Sequence, residues 1–175
     1  MKDRVSALSQ DRLAEILLSL AGKYPDCQRD LLIAIGDDTQ EATSIITKQI
    51  HRIFRSFEVE DCSSSKVVEQ LKSIIASVRP SSIEIKTKVY WAIADRILKE
   101  LNEYGMDDES LENVAIETLD LLTEVSSKSG IPVEEKARIV NALEKYSSWG
   151  NCGIIDNIKE DREMIENQGT KRGQN

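Results

Sequence analysis

The sequence predicts an all-α fold of about eight antiparallel helices stacked as helical hairpins in a single domain. Three observations carry this. Apolar residues recur three or four apart through nearly the whole chain, which places them on one helical face. Ser, Asp, Pro and Gly punctuate those runs where helix starts and stops require them. Strand signals are nearly absent: Ile83-Glu84-Ile85-Lys86 alternates, but flows into a helical pattern.

The first helix opens at Ser9-Gln10-Asp11-Arg12, carries Leu13, Ile16, Leu17 and Leu20, and stops near Gly22. Tyr24-Pro25-Asp26 starts the second, with Cys27, Leu31, Leu32 and Ile35, ending at Gly36. Pro suits a first helical turn because its missing N–H has no intrahelical acceptor there. Asp38-Thr39 caps a third helix running to about Ser56, with a stripe of Ala42, Ile45, Ile46, Ile50, Ile53 and Phe57. Ser63 or Ser64 caps the fourth, whose stripe is Val67, Val68, Leu71, Ile74, Ile75 and Val78, and Arg79-Pro80 ends it. Ser82 caps the fifth, with Val89, Tyr90, Ile93, Ala94, Ile97, Leu98 and Leu101 before Gly105. The sixth begins near Asp108 with Leu111, Val114, Ala115, Leu119, Leu122 and Val125, its acidic start favoured by the helix dipole. After Gly130-Ile131-Pro132 the seventh shows Val133, Ala137, Val140, Leu143 and Tyr146. Trp149 to Gly153 forms a glycine-rich turn, and a last helix spans about Ile155 to Asn167 with Ile158 and Ile165 on one side. Residues 1–168 are expected to form the domain, and 169–175 a mobile polar tail.

This run of capped helices of unequal length resembles an irregular helical-repeat domain of the HEAT or armadillo kind, which implies an α-solenoid-like stack. A second resemblance covers residues 9–36. The string from Asp11 to Ala21, followed by Tyr24-Pro25 and Leu31-Leu32, is similar to the helical regions that accompany SWIM zinc fingers. Those regions carry helical hairpins beside a finger thought to bind nucleic acid or protein. The finger's own C-x-C and C-x-H ligand pairs are absent here, so the resemblance implies no metal role.

A chain of 175 residues suffices for one domain with a real core. With aromatics at 5%, that core must be built from Ile, Leu, Val and Ala, which favours packed helices. No stretch approaches the roughly 20 apolar residues of a membrane span, and the N-terminus has no signal-peptide run. The expected location is the cytoplasm, with no membrane partner. Cys27, Cys62 and Cys152 are odd in number and far apart, and His51 is the sole histidine. Buried or incidental thiols are expected, rather than a disulfide framework or a zinc site, and no cofactor is implied.

Net charge is −8, which disfavours general nucleic-acid binding. The charge is uneven. Residues 43–99 hold ten Lys/Arg against six Asp/Glu, while residues 100–135 hold eleven Asp/Glu against Lys128 alone. Such asymmetry marks either solvated faces or a partner or self-association surface.

Candidate partner-binding residues follow from the breaks in the pattern. Lys48, Arg52 and Arg55, with His51 beside them, form a basic face on the third helix suited to an anion or an acidic partner. The plainer account is cations favoured near a helix C-terminus. Trp91 points about 100° from Tyr90 on the core stripe, so it either fills a groove or stands as a binding anchor. Trp149 and Cys152 belong to the glycine-rich turn, where a helix N-terminus lowers a thiol pKa and Trp149 otherwise serves as a packing anchor. Paired carboxylates occur at Asp107-Asp108, Glu134-Glu135 and Glu160-Asp161, without the Glu-x-x-His motif of di-iron bundles.

No catalytic constellation emerges. The expectation is therefore a non-enzymatic protein-interaction or scaffold module, with a groove between the basic helices three to five and the acidic sixth helix, open to a protein partner or a second copy. Two alternatives stand beside it: an enzyme with an inter-helix carboxylate or Cys152 pocket, and nucleic-acid binding through Lys48, Arg52, Arg55, Arg79, Lys86 and Lys88.

Overall fold

The computed structural model describes residues 8–35, 39–59, 63–103, 108–129, 131–148 and 154–167, with the side chains of all but 57–59, 103 and 129. Among them the fold is all-α: α1 (Gln10–Lys23), α2 (Pro25–Ile35), α3 (Thr39–Val59), α4 (Ser64–Val78), α5 (Ile83–Glu103), α6 (Glu109–Ser129), α7 (Val133–Ser147) and α8 (Ile155–Asn167). No strand occurs among the described residues.

Local chemistry sets most of these boundaries. Ser9 Oγ accepts from the Arg12 amide at 3.3 Å, and Ser82 Oγ accepts from the Ile85 amide at 3.4 Å. Asp108 Oδ1 accepts from the amides of Ser110 and Leu111 at 3.0 and 3.2 Å. Each bond satisfies a backbone donor that the first helical turn leaves open. Burial alone pushes the Asp108 carboxyl up, but hydrogen bonds from Ser110, Ser64 and the two amides outweigh it, and its pKa falls. Asp108→Ala is expected to cost about 1 kcal/mol, read as a lower midpoint in urea unfolding. Ser63 stands at the α4 cap position without capping through its side chain. Its hydroxyl instead lies 2.9 Å from Ser65 Oγ.

The helices stack as four successive hairpins, α1/α2, α3/α4, α5/α6 and α7/α8. Every substantial packing pair joins helices of one hairpin or of adjacent hairpins. Along one layer α2 packs on α4, α4 on α6 and α6 on α8; in the other, α3 packs on α5. The central helix is α5, flanked by α3, α4 and α6. It buries Val89, Tyr90, Ile93, Ala94, Ile97, Leu98 and Leu101, as its periodicity predicts. Each such Ile or Leu contributes about 1.5–3 kcal/mol through surface removed from water.

Two stripes differ from the sequence expectation, and Trp91 takes one of its two expected places. On α3 the fully buried row is Ala42, Ile46, Ile50 and Phe54, with Ile45 and Ile53 only half-buried; the Phe57 side chain lies outside the described residues. A spacing of four makes this a ridge facing both α4 and α5, and Phe54 belongs to it. On α7 the buried residues are Ile139, Leu143 and Tyr146, whereas Val133 and Ala137 are exposed, since they sit more than a quarter-turn from that row. Trp91 is only 4% exposed, because α5 is covered on more sides than a single stripe requires.

Candidate functional site

The largest groove described, about 600 Å³, runs across the layer that holds α3, α5 and α7. Helical spacing delivers its lining. On α3 the residues Ser44, Lys48 and His51 recur on one side, and on α5 Lys88, Trp91, Asp95 and Lys99 do the same. From α7 come Glu135 and Arg138. Trp91, Ile50 and Ala92 supply apolar surface, and the rim is charged.

Five cations, Lys48, Lys88, Arg96, Lys99 and Arg138, face two carboxylates, Asp95 and Glu135. Several are held in place. Lys99 Nζ lies 2.7 Å from Asp95, Lys88 Nζ lies 2.6 Å from Glu84, and Arg138 pairs with Glu135. Asp95 also accepts from the Tyr146 hydroxyl, which ties α5 to α7 beneath the groove. Arg96 pairs with the buried Glu100 while its guanidinium stacks on the Phe54 ring, 5.4 Å from the centroid. Lys48 and His51 form no ion pair among the described residues and point their charge capacity outward.

Two further grooves divide the remaining cations. One of about 420 Å³ lies between α2, α3 and α4, lined by Arg29, Gln49, Arg52, Lys66 and Glu69. Its Arg29 is buried and bonded to Asp26 and Asp30 at 2.9 and 3.0 Å. The other, about 440 Å³, lies between the start of α5 and α6, where Arg79, Lys86 and Lys128 surround Tyr90 and Glu124. Burial raises the Tyr90 pKa, with Arg79 pulling it back and Glu124 and Glu117 adding to the rise.

Of the candidate residues, Lys48, His51 and Trp91 converge on the α3/α5/α7 groove. Arg52 lines the α2/α3/α4 groove, and Arg55 is exposed on α3 outside the grooves described. Trp149 and Cys152 lie outside the described residues. The expected groove between basic helices and the acidic sixth corresponds to the Arg79–Glu124 site. There the opposite charges meet each other, with Arg79 Nη2 4.0 Å from Glu117, as well as solvent. Asp95, Lys99, Glu135 and Arg138 are site residues that sequence reasoning missed. The i,i+4 pair Asp95–Lys99 and the i,i+3 pair Glu135–Arg138 were visible; their meeting across α5 and α7 was not. Cys27 is a free, exposed thiol, the incidental one of the two outcomes expected, and Cys62 and Cys152 lie outside the described residues.

Among the described residues no His, Cys, Asp and Glu cluster could hold a metal ion, and no helix is long and apolar enough to cross a membrane. Comparison with protein-family models, with curated proteins and with solved structures returns no match.

Proposed function

We propose that this protein is a non-enzymatic interaction module whose α3/α5/α7 groove receives an acidic segment of a protein partner. The observation that carries the reading is the groove's cationic lining: five cations against two carboxylates, with Lys48 left in excess once Glu84 and Glu100 are set against Lys88 and Arg96, on a protein whose net charge is −8. A local excess of this sign on an acidic chain attracts acidic ligands and repels cationic ones. Ala92, beside the nearly buried Trp91, gives such a segment apolar surface to lie on, and the paired cations hold the walls in fixed positions.

The two alternatives find less support. Asp161 is a buried carboxylate with a raised pKa, the mark of many catalytic acids, yet it lines none of the three grooves described. The six cations proposed for nucleic acid are divided: Lys48 and Lys88 in one groove, Arg52 in a second, Arg79 and Lys86 in a third, and Arg55 outside all three. A phosphate backbone is contacted by a continuous stripe, and these do not form one.

Selection from a random peptide library tests the reading. Asp- and Glu-rich peptides are expected to be enriched, with affinity falling steeply as salt rises. A Lys48→Glu, Arg138→Glu double variant should weaken the selected peptides at least roughly tenfold, which is about 1.4 kcal/mol. No acidic enrichment, or binding indifferent to both substitutions, overturns the proposal.

A further inference from the structure

Tyr90 lies on the buried stripe of α5 and is 2% exposed, yet none of the described protein groups hydrogen-bonds its hydroxyl. A phenylalanine would fill the same core space with no polar atom to satisfy, and a buried tyrosine hydroxyl ordinarily finds a partner. The hydroxyl is not sealed within the core, and Tyr90 lines the groove of about 440 Å³ between the start of α5 and α6. The phenol thus forms part of that groove's floor. Burial raises its pKa, so the proton stays on the oxygen and is there to donate.

Helical spacing sets the walls. Ile83, Lys86 and Tyr90 fall at i, i+3 and i+7 on α5, and Leu121, Val125 and Lys128 at i, i+4 and i+7 on α6. Arg79, at the end of α4, closes one side. Two of the three cations are neutralised in place: Lys128 pairs with Glu124, and Arg79 Nη2 lies 4.0 Å from Glu117. Lys128 lowers the Glu124 pKa by its hydrogen bond and its charge, with Arg79 and Lys86 adding to the fall, so Glu124 stays an anion. Lys86 is half-buried and has no ion pair among the described residues. Three cations against two carboxylates leave one positive charge, and it belongs to Lys86.

An occupant that matches this groove carries one negative charge, an oxygen that accepts from the Tyr90 hydroxyl, and apolar surface for Ile83, Leu121 and Val125. A carboxylate meets the first two needs with one group. Its two oxygens accept from the phenol and from the Lys86 ammonium, which are four residues apart and so adjacent on α5. A phosphate monoester brings close to two charges at neutral pH, one more than the groove leaves over. The volume lies within the range of small-molecule sites. We propose that this groove binds a small carboxylic acid with an apolar body, its carboxylate held by Tyr90 and Lys86 and its body laid on Ile83, Leu121 and Val125. The site is separate from the acidic-segment groove and does not depend on it.

Octanoate and 4-phenylbutyrate test the proposal, with octanol and octylamine as controls, by amide chemical shifts of the isotope-labelled full chain and by titration calorimetry. At least one acid is expected to saturate and to shift amides within 83–90 and 121–128, and whichever binds more tightly names the body as alkyl or aryl. Octanol and octylamine should bind more weakly by roughly tenfold, since neither completes the hydrogen bond and the ion pair together. Tyr90→Phe keeps the ring in the core and should weaken the acid by roughly tenfold or more, the effect of losing a hydrogen bond to a charged group. It should leave the urea midpoint of the free protein unlowered, because no protein bond is lost. Lys86→Met keeps an unbranched stem and should weaken the acid similarly. Failure of both acids to saturate at millimolar concentration, octanol binding as tightly as octanoate, shifts elsewhere on the chain, or affinity unchanged in both variants would each overturn the proposal. The Lys48→Glu, Arg138→Glu variant should bind the acid as the parent does, and Tyr90→Phe should still bind acidic peptides, so failure of one reading is distinguishable from failure of the other.

Discussion

An Arg96→Leu variant is expected to lose stability, by less than the roughly 3–5 kcal/mol that removing one partner of a fully buried ion pair costs, since Arg96 is itself 27% exposed. Glu100 is 2% exposed and sits one turn beyond Arg96, so its charge is shut away from water beside that guanidinium. Leucine would keep much of the packing on Phe54 but offer the carboxylate nothing. Arg96→Leu combined with Glu100→Leu should recover most of the loss, because the penalty belongs to the buried carboxylate that has lost its Arg96 partner and not to the missing attraction. Urea unfolding of the single and double variants measures both. A single variant within 1 kcal/mol of the parent would show that Glu100 is not stranded. The result also bears on the groove, since Arg96 faces it from the same turn that the buried pair fixes.

Asp161→Asn is expected to act in the opposite direction, stabilising the protein by about 2 kcal/mol at neutral and higher pH. Asp161 is 3% exposed, between Ile158 and Ile165 on the buried side of α8, and accepts from Thr123 Oγ1 at 2.9 Å. Burial pushes its pKa from 3.8 to about 6; the Thr123 bond lowers it in part, and the charges of Asp120 and Glu160 raise it further. The folded state thus holds this proton more tightly than the unfolded chain. Below about pH 4 both states are protonated and the residue has little effect. Between there and pH 6 stability falls as pH rises, and above pH 6 the whole penalty stands. Asparagine keeps an acceptor for Thr123 and never ionises. The gain should therefore appear at pH 7–8 and vanish near pH 4, in unfolding curves taken across that range. An equal gain at both ends would assign the effect to something other than ionisation.

Much of this architecture is legible in the sequence, because capping and periodicity act within a few residues. Ser9, Ser82 and Asp108 accept from amides no more than three positions away, and the α5 stripe repeats over about three turns. What escaped depends on a third helix. Phe54 lies off the α3 stripe read from the sequence, and only the seating of α3 against both α4 and α5 brings it into the buried row. On α7, Val133 and Ala137 fit one apolar row and Ile139 another; α8 decides between them. Asp161 reads as one more charge on a charged helix, since burial by α6 leaves no mark in local pattern. The groove follows the same logic. Lys48, His51 and Trp91 are recognisable as unusual residues, whereas Arg138 joins them only because Tyr146 binds Asp95 and draws α7 against α5.

The restriction of packing to neighbouring hairpins also governs how the chain acquires its structure. Contacts close in sequence need little loop closure, so a fold assembled from them has low contact order and folds fast for its length. Units that touch only their neighbours also come apart from the ends inward. With α1 holding no buried residue and α5 enclosed on three sides, amide hydrogen exchange should grade along the chain, fastest in the terminal hairpin and slowest at Ile93–Ile97.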